Sequence, residues 1–256
     1  HGRSFFVIDD YSGLRNLNED DFEGGLKFLS ASKGVQYTVR RSPSTRFTGN
    51  GEYQGENQPY GSAITFLAKL DDKPQKATIE ISNGMGEIVR TFKTGIHEGI
   101  NRVNWSLRYD GNAEPRKPGA PKTEDLPEGR YAIPGTYKAS IKYDGEVVSG
   151  EITVIPDPKL TLSQNDWATT ANFLDHMFAL RKVATKAMER IAFAKHDLEL
   201  IQKMIKDALP SDAQDDNPLK VSEVKTKEIL EGLDEIEKYF LIQGLADDQS
   251  KHVTAH

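Results

Sequence analysis

The spacing of apolar residues changes at Pro156-Asp157-Pro158, and this change constrains the fold more than any other feature of the chain. Before it, apolar and polar residues alternate with a period of two, which is typical of half-buried β-strands. After it, apolar residues recur every three or four positions, which is typical of amphipathic helices. Because proline has no amide hydrogen to continue a strand ladder, the sequence predicts that a β region ends here and a helical region begins.

The β region is predicted to contain six strands. Asn83-Gly84 and Asp144-Gly145 each separate two of them, and such dipeptides supply the positive φ angles that tight hairpin turns need. Strands at this spacing predict an immunoglobulin-like antiparallel β-sandwich of about 95 residues. The positions that mark the six strands are, in order, Ile64, Phe66 and Ala68; 77–82; 88–92; Val103, Trp105 and Leu107; Tyr137, Ala139 and Ile141; and Ile152 and Val154.

Two segments lack this alternation and are predicted to be irregular. Residues 40–60 are polar and glycine-rich, which predicts a linker or a long loop, and the short pieces 26–29 and 35–39 before it are compatible with strands. Residues 109–133 carry many prolines and charges, which predicts an exposed loop.

Two long helices are predicted after the boundary. The first begins near Gln164, since Ser163 and Asp166 have the spacing of an N-cap with a carboxylate in the first turn. Its apolar pattern continues to Pro210, which gives about 45 residues and about 68 Å of helix. A second helix is predicted at 221–242, and the loop before it permits an antiparallel return. The apolar face of this second helix comprises Ile229, Leu233, Ile236 and Phe240.

The composition excludes several functions. The net charge is −6, with 33 basic and 39 acidic residues interspersed, so no basic face is available for a nucleic-acid backbone. No run approaches the ~20 consecutive apolar residues of a membrane-spanning helix. The absence of cysteine excludes disulfides, thiolate catalysis and cysteine-bound metal. The sequence therefore predicts neither a nucleic-acid partner nor a membrane span.

Four segments carry a resemblance to known families. Residues 77–92, 99–108 and 133–137 resemble, in this order, an immunoglobulin-like module of flagellar hook-capping proteins and of many secreted bacterial proteins. Residues 1–10 resemble the closing strand of a sortilin-like or BNR-repeat β-propeller, a class often labelled glycosyl hydrolase. The resemblance implies an upstream propeller in the same polypeptide and an extracellular or periplasmic location in a bacterial envelope.

Together these observations predict an α+β multidomain chain. Residues 1–50 are assigned to a propeller-exit strand and an irregular linker, 51–158 to the immunoglobulin-like β-sandwich, and 159–256 to a helical hairpin that is expected to be truncated. The chain begins at His1 without an initiator methionine or a signal-peptide pattern, so we expect that an upstream segment was removed.

The leading functional hypothesis is a non-catalytic structural and interaction region of a secreted propeller protein. An alternative is a carbohydrate-binding accessory module, because aromatic rings stack on the apolar faces of sugars. Polysaccharide is then the expected partner. The candidate binding residues lie in the glycine-rich segment and are Tyr53, Gln54, Asn57 and Tyr60.

Catalysis by the chain itself has little support in the sequence. Asp9 and Asp10 are adjacent on an extended segment and so point to opposite faces, which disfavours a cooperating pair. The six histidines form no ligand pair on a helix, so no metal site and no cofactor are predicted. Trp105 is expected in the core.

A third hypothesis leaves a catalytic contribution open. The loop at 109–133 could reach over the cleft of a propeller glycoside hydrolase and supply charged groups to its active site. The residues concerned are Glu114, Arg116, Glu124 and Asp125.

Overall fold

The computed structural model describes residues 10–37, 58–70, 75–121, 125–211 and 214–253, with side chains of the last helix to residue 240. These residues form two compact units. The first, here the β unit, comprises the described parts of His1–Gly111 and Asp125–Asp175, and the second, here the helical unit, those of Asn112–Glu124 and His176–His256. The chain is therefore a mixed protein with β-sheets and two long helices, as predicted at this level.

The described residues form ten strands and two α-helices. Two short 3-10 segments, Ser12–Asn16 and Glu19–Glu23, precede them. The strands are β1 (Lys27–Ala31), β2 (Gly34–Val35), β3 (Ser62–Ala68), β4 (Gln75–Ser82), β5 (Ile88–Ile96), β6 (Gly99–Trp105), β7 (Arg108–Asp110), β8 (Glu128–Tyr131), β9 (Gly135–Tyr143) and β10 (Glu146–Ile155). The helices are α1 (Gln164–Ala208) and α2 (Pro218–Val253).

The strands form three sheets. One has the order β1-β3-β6, a second has the order β2-β10-β9-β4-β5, and β7 and β8 form a two-stranded ribbon. All pairs are antiparallel except β2 with β10, which is parallel. The two hairpins predicted from Asn83-Gly84 and Asp144-Gly145 are present as β4-β5 and β9-β10. Asp144 and Gly145 both have positive φ, as the dipeptide predicts.

Side chains from the two larger sheets belong to one hydrophobic core. Phe66 of β3 and Trp105 of β6 lie in the same cluster as residues from the other sheet, such as Ile79 and Ile141. The alternation predicted for β4 is present, since Ala77, Ile79 and Ile81 are buried and their neighbours are partly exposed. The further buried members of the cluster are Ile64, Ala68, Val89, Ile96, Leu107, Ala132, Tyr137, Ala139, Ile152 and Val154.

Strand β3 departs from the predicted alternation. It is the central strand of its sheet, and Thr65 and Leu67 are buried along with Ile64 and Phe66. The prediction of a half-buried strand was therefore wrong here, because elements from outside the six predicted strands cover its second face. Gly13 of the first 3-10 segment, for example, lies so close to the Thr65 side chain that a Cβ on it would be 3.1 Å from the Thr65 Cγ2 atom.

Strands β1 and β2 come from the segment that the sequence assigned to a linker. Lys27–Ala31 pairs with β3, and Gly34–Val35 pairs with β10. Both pairings join residues that are far apart along the chain, so no local turn signal marks them. Similarly, the ends of the predicted loop at 109–133 pair as β7 and β8, while residues 113–115 between them are exposed.

The fourth predicted strand is shorter than expected. β6 ends at Trp105, and Leu107, assigned to the same face, lies beyond it with a φ of 57°. Leu107 is nevertheless fully buried, and it packs against the backbone of Gly34. A Cβ at Gly34 would lie 2.5 Å from the Leu107 Cδ2 atom, so this approach requires glycine.

A second close approach joins the two larger sheets. Phe28 of β1 lies against Gly150 of β10, and an ideal Cβ at Gly150 would be 2.0 Å from the Phe28 Cε1 atom. Val148 and Ile152, two positions away on either side, belong to the hydrophobic core or pack against it. Gly150 thus leaves the space that the Phe28 ring fills.

The two helices agree with the sequence in number and nearly in extent. α1 has the predicted bounds, and Ser163 and Asp166 form the predicted capping box, with the Ser163 amide donating to Asp166 at 2.9 Å. α2 begins three residues earlier than predicted, at Pro218, where the Asn217 side chain accepts the Leu219 amide at 2.9 Å. Proline is favoured at this first helical position. α2 also continues beyond residue 242, to Val253.

The helical unit contains few buried side chains. Among its described residues, Ile191, Ile205 and Thr226 are the ones that are buried. Lys195 of α1 forms ion pairs with Asp234 and Glu237 of α2, so α2 returns antiparallel along α1. These two hydrogen bonds raise the pKa of Lys195 above its ordinary value.

Candidate functional site

Three tyrosines from separate parts of the sequence meet at the surface of the β unit. The ring centroids of Tyr37 and Tyr60 are 5.0 Å apart at 69°, and those of Tyr60 and Tyr131 are 6.1 Å apart at 76°. Such edge-to-face pairs are a favourable arrangement of aromatic rings. Tyr37 and Tyr131 are 46% and 47% exposed, while Tyr60 between them is half-buried. We call this group the tyrosine surface.

The position of Tyr60 is fixed by the start of β3. The Asn104 side chain of β6 donates a hydrogen bond to the Tyr60 carbonyl at 2.7 Å. The next residue, Gly61, has a φ of +130°, and a Cβ there would lie 2.0 Å from the Trp105 carbonyl oxygen. Only glycine fits this turn, so the backbone holds the Tyr60 ring at the edge of the sheet.

Arg108 of β7 orders the other end of the tyrosine surface. Its guanidinium carbon lies 4.0 Å from the Tyr131 ring centroid, and its Nη2 donates to the Tyr131 hydroxyl at 2.7 Å. Its Nη1 donates to the Gly129 carbonyl at 3.2 Å, and Glu128 lies 3.6 Å from its Nε. The positive charge of Arg108 is thus offset by a neighbouring carboxylate, and its side chain is held in place.

The chemistry of the tyrosine surface is that of recognition. Burial, followed by the proximity of Tyr131, raises the pKa of Tyr60 above its ordinary value, so its phenol is uncharged at neutral pH. Rings of this kind present apolar area for stacking, and their hydroxyl groups donate and accept hydrogen bonds. A group of phenol rings beside Arg108, two of them exposed, is suited to bind a ligand with apolar faces and many hydroxyl groups.

One of the four predicted carbohydrate-binding residues, Tyr60, belongs to this surface. Tyr53, Gln54 and Asn57 lie outside the described residues, so their part in binding stays a prediction. Tyr37, Tyr131 and Arg108 were not predicted from the sequence. A weak signal was available for Tyr131, because it lies in the loop that was singled out, but only the charged residues of that loop were considered.

Asp10, the first described residue, makes hydrogen bonds that stabilise the local backbone. Asp10 accepts the Ser12 amide at 2.9 Å and a hydrogen bond from Arg102 at 3.3 Å. The bonds from Ser12 and then the charge of Arg102 lower the pKa of Asp10. Asp10 therefore shapes a turn, while Asp9 lies outside the described residues.

The other candidate residues do not converge on a reaction centre. His97, His176 and His196 are exposed, and the described residues contain no group of three side chains that could hold a metal ion. Trp105 is buried in the core and donates its indole N–H to the Arg108 carbonyl at 2.9 Å.

The charged residues of the loop at 109–133, which were predicted to contribute to an active site, differ in their surroundings. Arg116 bonds Glu189 of α1, whereas Glu114 and Asp125 are exposed. Glu124 lies outside the described residues.

None of the helices in the described part of the chain has the length and apolar character needed to cross a membrane. Comparison with protein-family models, with curated proteins and with solved structures yields no match for this sequence.

Proposed function

We propose that this chain is a non-catalytic structural and interaction region of a secreted β-propeller protein. The observation that carries the interaction role is a set of exposed apolar side chains on the helical unit. Met177, Leu180 and Val183 follow one another at intervals of three on α1 and are 47%, 53% and 68% exposed. Side chains at this spacing lie on the same side of a helix, and contiguous exposed apolar surface commonly marks an interaction site.

The strand order supports an immunoglobulin-like sandwich as the scaffold of this region. Immunoglobulin domains place strands A, B and E in one sheet and C, F and G in the other. If β1, β3 and β6 are lettered A, B and E, and β4, β9 and β10 are lettered C, F and G, the two larger sheets have this composition. The second sheet has two further strands, β5 beside β4 and β2, which pairs in parallel with β10.

A hydrogen bond near the start of β9 supports the same scaffold. The Tyr137 hydroxyl donates to the Ile133 carbonyl at 2.9 Å, four residues earlier, and the Tyr137 ring packs 5.2 Å from that of Trp105. Many immunoglobulin-like domains have such a tyrosine at the start of strand F. The chain departs from antibody domains in having no cysteine pair, and its buried tryptophan is on β6 instead of β4.

The attachment to a propeller rests on the resemblance of residues 1–10 to a closing propeller strand. Amide hydrogen exchange of this chain, alone and within the propeller-containing polypeptide that the proposal requires, tests both parts of the proposal. We expect residues around Met177–Val183 to gain protection in the longer polypeptide, since the apolar side chains are then covered. The double variant L180Q/V183Q should lose this gain and the control K182Q should keep it. Equal exchange in both polypeptides would contradict the proposal.

The same proposal predicts that the chain alone releases no product from polysaccharides. The described carboxyl groups whose pKa is shifted are those of Asp10, Asp21, Asp166 and Asp215, and hydrogen bonds lower each of these pKa values, which is the opposite of what a general acid needs. Release of reducing ends that is lost in a charge-removing variant of the loop, E114Q/D125N, would favour the catalytic hypothesis instead.

The tyrosine surface favours a second candidate function, carbohydrate binding by the β unit. Electrophoresis in native gels that contain plant, host or bacterial polysaccharides tests it. Tyr131→Ala should weaken retardation by one of these polysaccharides about tenfold, which corresponds to roughly 1.4 kcal/mol of binding free energy. Tyr239→Ala, on an exposed tyrosine of α2, is the matched control and should bind as the unsubstituted chain does. Equal retardation of both variants would remove this candidate.

A further inference from the structure

A cleft in the helical unit lies between the loop that starts at Asn112 and the middle of α1. It has a volume of about 360 Å³ and is lined by Arg116, Lys186, Glu189, Arg190 and Phe193. This volume is at the lower end of the range for ligand clefts, roughly 300–1,000 Å³. It therefore has room for a small ligand.

The loop is held against the helix at two points, one of which is in the cleft. The Asn112 side chain donates to the Phe178 carbonyl at 2.7 Å, and the Arg116 Nε donates to the Glu189 carboxylate at 3.1 Å. The guanidinium carbon of Arg116 lies 5.0 Å from the Phe193 ring centroid. The orientation of Arg116 is thus fixed before any ligand arrives, which lowers the entropy cost of binding.

The charges around the cleft are unbalanced. Three of its side chains are cationic, and Glu189 is the one carboxylate. Glu189 is engaged by Arg116, whereas Lys186 and Arg190 have no hydrogen bond or ion pair with any described residue. Lys186 and Arg190 are four positions apart on α1 and so project from the same side of the helix. This excess of positive charge stands out in a chain whose net charge is −6.

We propose that this cleft binds an oxyanion carried by a small ligand, such as the carboxylate of an acidic sugar, a sulfate ester or a phosphate. Planar guanidinium groups and a lysine ammonium are the donors that proteins use for such groups. Arg116 uses its Nε for the bond to Glu189, and its Nη atoms make no hydrogen bond with a described residue. Phe193 supplies an apolar wall for the remainder of the ligand.

This binding site goes beyond the proposed function and is separate from it. The residues of the cleft belong to the helical unit, and those of the tyrosine surface belong to the β unit. A polymer with many phosphates is a poor fit, because contacts to a nucleic-acid backbone need a row of cations and the cleft offers three.

Titration of the isotope-labelled full chain followed by NMR spectroscopy tests the proposal. The probes are sodium phosphate, sodium sulfate and sodium glucuronate at constant ionic strength, with glucose as the neutral control. We expect saturable shifts of the side-chain or backbone signals of Arg116, Lys186 and Arg190 with the anions and none with glucose. Tighter binding of glucuronate than of the inorganic ions would identify an acidic saccharide as the source of the oxyanion, and the reverse an inorganic ion.

The double variant K186M/R190Q should weaken anion binding roughly tenfold or more, because hydrogen bonds to charged groups are the stronger ones. The matched control K182M/R181Q removes the same charges from exposed positions of α1 outside the cleft and should leave binding unchanged. Tyr131→Ala should also leave it unchanged, which separates this test from that of carbohydrate binding by the β unit. The proposal is overturned by an absence of saturable shifts, or by equal losses in the two double variants.

Discussion

In the β unit, apolar side chains from two sheets contact one another, whereas in the helical unit many apolar side chains face solvent. Ile79, Phe66 and Ile141 have no exposed surface, while Leu180 and Val183 of α1 are more than half exposed. Burial of apolar area contributes about 25 cal/mol per Å². The difference teaches that the β unit is stabilised by its own core and that the helical unit depends more on helix propensity and ion pairs.

The largest expected effect is on the core of the β unit. Phe66→Ala should lower the free energy of unfolding by about 3–5 kcal/mol, because it removes a fully buried aromatic ring. Urea denaturation followed by near-ultraviolet circular dichroism measures it. Met85→Ala, in the exposed β4-β5 turn, should change stability by less than about 0.5 kcal/mol. A loss below about 1 kcal/mol for Phe66→Ala would break the comparison.

A smaller effect is expected for the same kind of truncation in the helical unit. Ile191→Ala should cost about 1–2 kcal/mol, because loosely packed surroundings close over the missing atoms and alanine favours the helix. Val183→Ala, at an exposed position, should be neutral or stabilising. Helical circular dichroism during thermal unfolding measures both. If Ile191→Ala lowered the free energy of unfolding as much as Phe66→Ala, the helical unit would have a tightly packed core like that of the β unit.

The hydrogen bond of Tyr137 tests how much of the β unit's stability comes from polar contacts. Tyr137→Phe removes the donor to the Ile133 carbonyl and the contact with the Tyr109 hydroxyl at 3.3 Å. We expect a loss of about 1 kcal/mol in the free energy of unfolding. Tyr239→Phe removes the hydroxyl of an exposed side chain that makes no hydrogen bond with a described residue, and it is the control, with a loss of at most about 0.5 kcal/mol. Equal losses would argue against a special role of Tyr137.

The smallest effect concerns pH and the start of α1. Hydrogen bonds from Ser163 lower the pKa of Asp166 in the folded chain. Its contribution to stability is therefore complete above its unfolded pKa of about 3.9 and is lost as the pH falls through the lower folded value. Acid titration of the Asp166 carboxyl signal by NMR should give that lower value. Asp166→Asn should remove this part of the acid dependence, and a pKa at or above the ordinary value would contradict the capping box.

The sequence predicted those elements whose signals are local. Asn83-Gly84 and Asp144-Gly145 mark their hairpins within a few residues, and Ser163 with Asp166 marks the start of α1. The segments of β1 and β2 were predicted to be compatible with strands but were not placed in a sheet, because their partners β3 and β10 are distant along the chain and long-range pairing leaves no periodic signal in a short segment. Leu107 was assigned to a strand because alternation alone does not reveal a residue with positive φ.

The candidate sites, too, could be predicted only where a local sequence signal marked their residues. Tyr60 stood out because it lies in a glycine-rich segment with other aromatic and amide residues. Its neighbours Tyr37 and Tyr131 come from other segments, and only the folded sheet edges bring the three rings together. Arg116 was noticed as a charge in a loop, but its position against α1 depends on tertiary contacts such as the Asn112 bond to Phe178.

The packing of Phe28 against Gly150 has a consequence for the evolution of this fold. A side chain at position 150 and a large ring at position 28 exclude each other, since they would occupy the same space. In diverged relatives the two positions should therefore vary together: a larger residue at 150 should accompany a small one at 28. The same reasoning applies to positions 34 and 107. These paired substitutions offer a sequence fingerprint for distant relatives whose overall similarity has faded.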